Sequence, residues 1–96
     1  MIFEISSLTI DPAKAAGFLK MYNDVAPVLR KQPGYINDKL LMTDEIPGNY
    51  YLIVEWKEKK DHQNFIQSAD YSKMAAPFGI FVLKSNFEHY SVVAKS

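Results

Sequence analysis

With 96 residues, no cysteine and nearly half its side chains apolar, the chain has enough hydrophobic material for one small core and none for a disulfide framework. Eleven Lys and Arg balance eleven Asp and Glu, so no excess positive field exists to displace counterions from phosphates, which argues against DNA, RNA or an anionic membrane as partner. The lack of cysteine also removes thiolate nucleophiles, iron–sulfur clusters and cysteine zinc sites from consideration.

Ile2 to Ile10 is rich in β-branched and aromatic residues and reads as a strand that stops at Asp11-Pro12, where aspartate caps a helix and proline fits its first turn. Ala15, Phe18, Tyr22, Val25 and Leu29 then recur at spacings of three and four, placing them on one face of a helix that reaches about Lys31. Pro27 removes one helical hydrogen bond, so a kink or break is expected there. Gln32-Pro33-Gly34 ends this helix, and Tyr35 to Thr43 follows as a second strand with Ile36, Leu40 and Met42 on one face.

Asp44 to Asn49 has turn chemistry, and Tyr50 to Trp56 is the strongest strand of the chain, so these two strands are expected to form a hairpin. His62, Phe65, Ile66 and Ala69 follow helical spacing after the charged run Lys57–Lys60. Asp70 is read as the cap of a further short helix that Pro77 and Gly79 disturb, and Phe87 to Val93 as the last strand. The order strand, helix, strand, strand, helix, strand predicts an α+β, ferredoxin-like split βαβ domain spanning residues 1–96, its antiparallel sheet covered by helices on one face. Neither a leader pattern nor a membrane-spanning apolar run occurs, and the chain reads as cytoplasmic.

Tyr50, Leu52, Val54 and Trp56 alternate with Tyr51, Ile53 and Glu55, so both faces of this strand are largely apolar. Two helices cover only one of them. A second copy related by a two-fold axis is the expected cover for the other, giving a homodimer, with packing of the Phe78–Ser85 loop as the alternative.

The element order, Gln32-Pro33-Gly34-Tyr35 after the first helix, and Val54-Glu55-Trp56-Lys57 leading into Phe65-Ile66-Gln67-Ser68 resemble the antibiotic-biosynthesis-monooxygenase domain along nearly the whole chain. The resemblance implies a dimeric α+β barrel and the oxygenase class: that family includes cofactor-independent monooxygenases that oxidise phenols or quinols to quinones, along with haem-degrading members. Haem-degrading relatives carry an asparagine on the first strand, a tryptophan in the second helical region and a haem-ligating histidine further on. The matching positions here hold Ser6, Phe65 and Ala75, and alanine cannot coordinate iron, so no haem or other cofactor is expected.

Trp56 matches the strand-end tryptophan that lines the cavity of quinone-forming members, offering an aromatic wall and one N–H donor; on residue type alone it is a core or interface tryptophan. His62, one turn before Phe65 and Ile66, and His89, between Phe87 and Ser91, are the candidate bases for deprotonating a phenol. Each is equally readable as structural, His62 at an exposed helix start and His89 at an interface. Phe65, Tyr51, Tyr22 and Asn37 complete the candidate substrate contacts, though tyrosines on strands and helix faces are ordinary core components. Two histidines far apart, with no His-x-x-x-His pattern, give no metal-ligand spacing, and phosphate-loop and serine-nucleophile motifs are absent.

The reading that follows is a cofactor-independent monooxygenase acting on a small phenolic or quinol-type aromatic. The alternative is a non-catalytic dimer holding a small aromatic molecule in the same cavity. RNA recognition shares this topology, but the neutral charge and the absence of a basic Gly-aromatic signature count against it.

Overall fold

The first strand, β1 (Ile2–Ile10), carries its helix-facing side chains at every second position: Ile2, Glu4, Ser6, Leu8 and Ile10. A computed structural model describes all of residues 1–96. β1 pairs antiparallel with β3 (Asn49–Trp56) on one side and with β4 (Val82–Tyr90) on the other, and β2 (Tyr35–Met42) pairs with β3. The resulting order β2-β3-β1-β4 is that of a ferredoxin-like α+β sheet.

Asp11 accepts from the Ala13 N–H and opens a short 3-10 turn, Pro12–Lys14, that runs into α1 (Ala15–Arg30). This helix continues through Pro27 without a break. Pro27 stands in its last turn, where one missing N–H costs little cooperativity. Phe18, Met21, Tyr22, Ala26 and Leu29 of α1 meet Leu8, Ile10, Tyr50, Leu52, Val54 and Trp56 of the sheet in the core.

Gly34 sits at φ +84°, a conformation that side chains disfavour, and a Cβ there would collide with the Asp61 carboxylate. That carboxylate accepts from the Glu58 N–H at 3.1 Å at the start of α2 (Lys59–Ile66), so the Gln32–Tyr35 turn and the second helix are fitted to one another. β2 starts with a bulge at Ile36: Tyr35 stands opposite Trp56 and Asn37 opposite Glu55. The bulge turns Ile36 outwards and brings Tyr35 inwards, a correction at that one position, while Leu40 and Met42 share a face as simple alternation predicts, opposite Leu52 and Tyr50.

Two further boundaries differ from the sequence reading. Ser68, not Asp70, caps α3 (Ala69–Phe81), accepting from the Tyr71 N–H. The helix continues through Pro77 and Gly79, because α1 supports it: Phe78 and Phe81 pack edge-on against Phe18. β4 therefore begins at Val82, directly after α3, and ends at Tyr90, leaving Val92 and Val93 exposed beyond it. No helix is long and apolar enough to cross a membrane.

Candidate active site

A cavity of about 340 Å³ lies between the sheet and helices α2 and α3. Its walls are mostly apolar: Leu8, Leu52 and Val54 from the sheet, Leu29 from α1, Phe65 and Ile66 from α2, and Met74, Ala75, Phe78 and Gly79 from α3. Glu4, Ser6 and His62 face the space beside Phe87, and Ser85 and Asn86 of β4 and Tyr71 of α3 add the remaining polar lining. No lysine or arginine lines it.

Three strands and one helix build the end that holds Glu4 and His62. Glu4 stands directly opposite His89 in the β1–β4 register, and α2 lays His62 over the pair. His62 Nε2 is 3.1 Å from Glu4 Oε1, and His62 Nδ1 is 2.7 Å from His89 Nε2. The Trp56 indole Nε1–H donates to the same Glu4 Oε1 at 3.1 Å, and the Ser6 hydroxyl donates to Oε2 at 3.3 Å. Trp56 also stacks on the His62 ring, with centroids 5.5 Å apart.

Proton positions follow from the donors that have no choice. An indole nitrogen only donates, so Glu4 Oε1 is an acceptor. A carboxylate accepting from Trp56 and Ser6 then takes the Nε2–H of His62, which leaves His62 Nδ1 as acceptor for the Nε2–H of His89. Burial pushes the Glu4 carboxyl up, with the Trp56 and Ser6 bonds pulling against it. Burial also holds His62 down to about 4, and the neighbouring His89 adds to this. His89 is lowered by burial and by Lys59. A carboxyl pushed up by burial beside a neutral imidazole is the pairing that acid–base chemistry uses. The three groups are strung along a line through opposite nitrogens of His62 rather than converging on a point, and no cluster suited to a metal ion is present.

The residues expected from sequence are distributed as follows. His62 and Phe65 line the cavity, and His89 stands behind His62. Trp56 is not a wall: it is fully buried behind Glu4 and His62, because the strand end tucks beneath α2. Tyr51 and Asn37 point to the opposite sheet face, where the Asn37 amide donates to Glu55 at 2.9 Å. Tyr22 lies behind Phe78 and donates its hydroxyl to Asp38, which also accepts from Tyr35 and from Arg30 at 2.8 and 3.0 Å. This is a structural clamp between α1 and β2. Ser6 and Ala75, the positions compared with haem-degrading relatives, both line the cavity.

Glu4 was missed by the sequence reading. Its signal was available: an acid in the inward row Ile2, Glu4, Ser6, Leu8, Ile10, where every other long side chain is apolar.

An antiparallel βαββαβ sheet with one helix-covered face and an acid–base cluster at the end of an apolar cavity defines the class of small ferredoxin-like α+β proteins. The antibiotic biosynthesis monooxygenase family matches residues 1–77, and the chain belongs to it. A protein of this family from Bordetella bronchiseptica is similar over 97% of both chains, with 26% identity and a TM-score of 0.91. SnoaB, a cofactor-independent oxygenase from Streptomyces nogalater, shares the fold with a TM-score of 0.85 at 16% identity, over 98% of this chain and 94% of its own. A family protein from Caulobacter crescentus gives 0.83 at 22% identity, over 97% and 90%. No curated protein matches.

Proposed function

We propose that the chain is a cofactor-independent monooxygenase whose substrate is a small phenol or quinol bound in the cavity between the sheet and helices α2 and α3. The observation that carries this reading is the Glu4–His62–His89 chain, whose Glu4 and His62 border a mostly apolar cavity. Membership of the family supports the oxygenase class, and SnoaB shows that the fold serves a cofactor-independent oxygenase.

The chemistry needs little else from the protein. Removing the phenolic proton makes the ring electron-rich, and the phenolate gives one electron to dioxygen. Superoxide and the phenoxyl radical recombine at a ring carbon to form a carbon–oxygen bond. The peroxide then loses water, its departing oxygen taking back the proton, so that the phenolic O–H, one ring C–H and one O₂ become the two C=O groups of a quinone and one H₂O. The cavity contributes the base, an aromatic wall in Phe65 and Phe87, and exclusion of water, which strengthens the electrostatic interactions within it.

The unit proposed is the whole of residues 1–96, working as a homodimer through the sheet face that bears Ile5, Leu41, Tyr51, Ile53 and Tyr90. Leu41, Tyr51 and Tyr90 are each nearly half exposed in one copy, which favours a covering partner. Incubation with a panel of neutral phenols and hydroquinones under an oxygen electrode, repeated with ¹⁸O₂, tests the activity. Quinone carrying one labelled oxygen per O₂ consumed is the expected result. No uptake above the uncatalysed rate for any member of the panel refutes it.

A further inference from the structure

We propose that Glu4, and neither histidine, is the acceptor for the substrate's hydroxyl proton, and that its carboxylate makes the cavity select neutral aromatic alcohols over anionic aromatics. The proton-transfer half rests on the oxygenase reading; the selectivity half stands on the cavity alone.

Both ring nitrogens of His62 are already engaged, Nε2 by Glu4 and Nδ1 by His89, so this histidine has no lone pair to offer a ligand. His89 does not line the cavity and reaches it only through His62. Glu4 does line it, with a side chain only 13% exposed. Its Oε1 is held by Trp56 and His62, whereas Oε2 has a single partner, the Ser6 hydroxyl at 3.3 Å. Oε2 is therefore the oxygen with lone pairs to spare, on the side where Ser6 also borders the space. Trp56 and His62 act as positioning residues, since each fixes Oε1 and so aims Oε2.

The same geometry sets the substrate class. A ligand hydroxyl donates to Oε2 and its ring lies among Leu52, Val54, Phe65 and Phe78. A ligand carboxylate at that position meets Glu4 with no lysine or arginine on any wall to offset the repulsion. The other titratable groups near this end are His62, His89, with Lys59 acting on His89, and Tyr71 of α3; none is a fixed cation facing the cavity.

Calorimetric titration of the wild-type protein near neutral pH with β-naphthol and β-naphthoate tests this. β-Naphthol is expected to bind, and β-naphthoate to bind about tenfold more weakly or worse, the effect of one unfavourable charge contact. Glu4→Gln, checked for folding by circular dichroism, is expected to bring the two within about threefold and to cut oxygen uptake on a neutral phenol by about a hundredfold. Equal binding of the two probes by the wild type, or no binding of β-naphthol, overturns the proposal even where the variant fails to fold. Unchanged oxygen uptake in a folded Glu4→Gln also overturns it. Selective binding without oxygen uptake on any phenol keeps Glu4 as the hydroxyl acceptor and sinks the oxygenase reading instead.

Discussion

Trp56 donates its indole N–H to Glu4 Oε1 at 3.1 Å, from a position two residues along the β1–β3 register, and the ring that makes this bond is fully buried. The chain's sole tryptophan thus holds the carboxylate from behind and does not border the cavity. In the proposed chemistry its influence runs through the basicity of Glu4.

Replacing Trp56 with phenylalanine therefore has two expected effects. Stability falls by about 2 kcal/mol, from the lost bond to a charged group and the space left behind, as measured by urea unfolding. The Glu4 carboxyl, no longer pulled down by the indole, moves further up, and the acidic limb of the activity profile shifts to higher pH. A purely structural Trp56 leaves that limb in place.

His62 makes the fold sensitive to mild acid. Burial holds it down to about 4, whereas the unfolded chain titrates it near 6.5. Between these values the unfolded state takes up a proton that the native state refuses. The stabilisation is thus complete above pH 6.5 and is lost as the pH falls towards 4, by up to about 3 kcal/mol. Glu4 works in the opposite direction: its raised native value favours the fold at low pH, an advantage lost as the pH rises through that value. The net expectation is a urea midpoint that falls through the window, and a flatter curve in His62→Gln.

Asp38 responds in a lower range. Burial pushes it up, but the Arg30 fork and the hydroxyls of Tyr22 and Tyr35 pull it down to about 2. A carboxyl depressed below its ordinary 3.8 confers stability above that value and loses it as the pH falls towards 2. Asp38→Asn is expected to cost about 2 kcal/mol at neutral pH, because it discharges the clamp and leaves the Tyr22 hydroxyl poorly matched. The difference from wild type should vanish below about pH 2 in the same unfolding assay.

The proposed dimer rests on the uncovered sheet face. Ile53→Glu places a charge at its centre, opposite Ile5 of β1 and Lys39 of β2. Sedimentation equilibrium at micromolar concentration is expected to give a dimer for the wild type and a monomer for the variant. A wild-type monomer ends this part of the proposal.

The strands with strong alternation were legible in the sequence: Tyr50, Leu52, Val54 and Trp56 form the buried row of β3, and Phe18, Tyr22 and Leu29 the buried face of α1. What failed had tertiary causes. Pro77 and Gly79 read as breakers, yet Phe78 and Phe81 packed on Phe18 hold α3 together across them. One inserted residue at Ile36 took that side chain off the face it was expected to share with Leu40 and Met42, and a bulge leaves no mark in a period-two pattern. At the site, both histidines were visible as titratable groups, but the bond joining them depends on β4 lying beside β1, which local spacing does not reveal. Glu4 was overlooked because a charge near the start of a strand ordinarily faces water.

The acid–base chain draws its members from residues 4, 56, 62 and 89, nearly the full span of the polypeptide. None of its bonds forms between neighbours in sequence. Each requires a loop of dozens of residues to close first, so the chain assembles only after β1 has gained both of its strand partners. An emerging polypeptide that still lacks β4 has the aromatic lining of α2 but no second imidazole for His62 Nδ1. The Glu4 oxygens find Trp56, His62 and Ser6 without β4, so what the last strand contributes is the outer imidazole that closes the far nitrogen of His62.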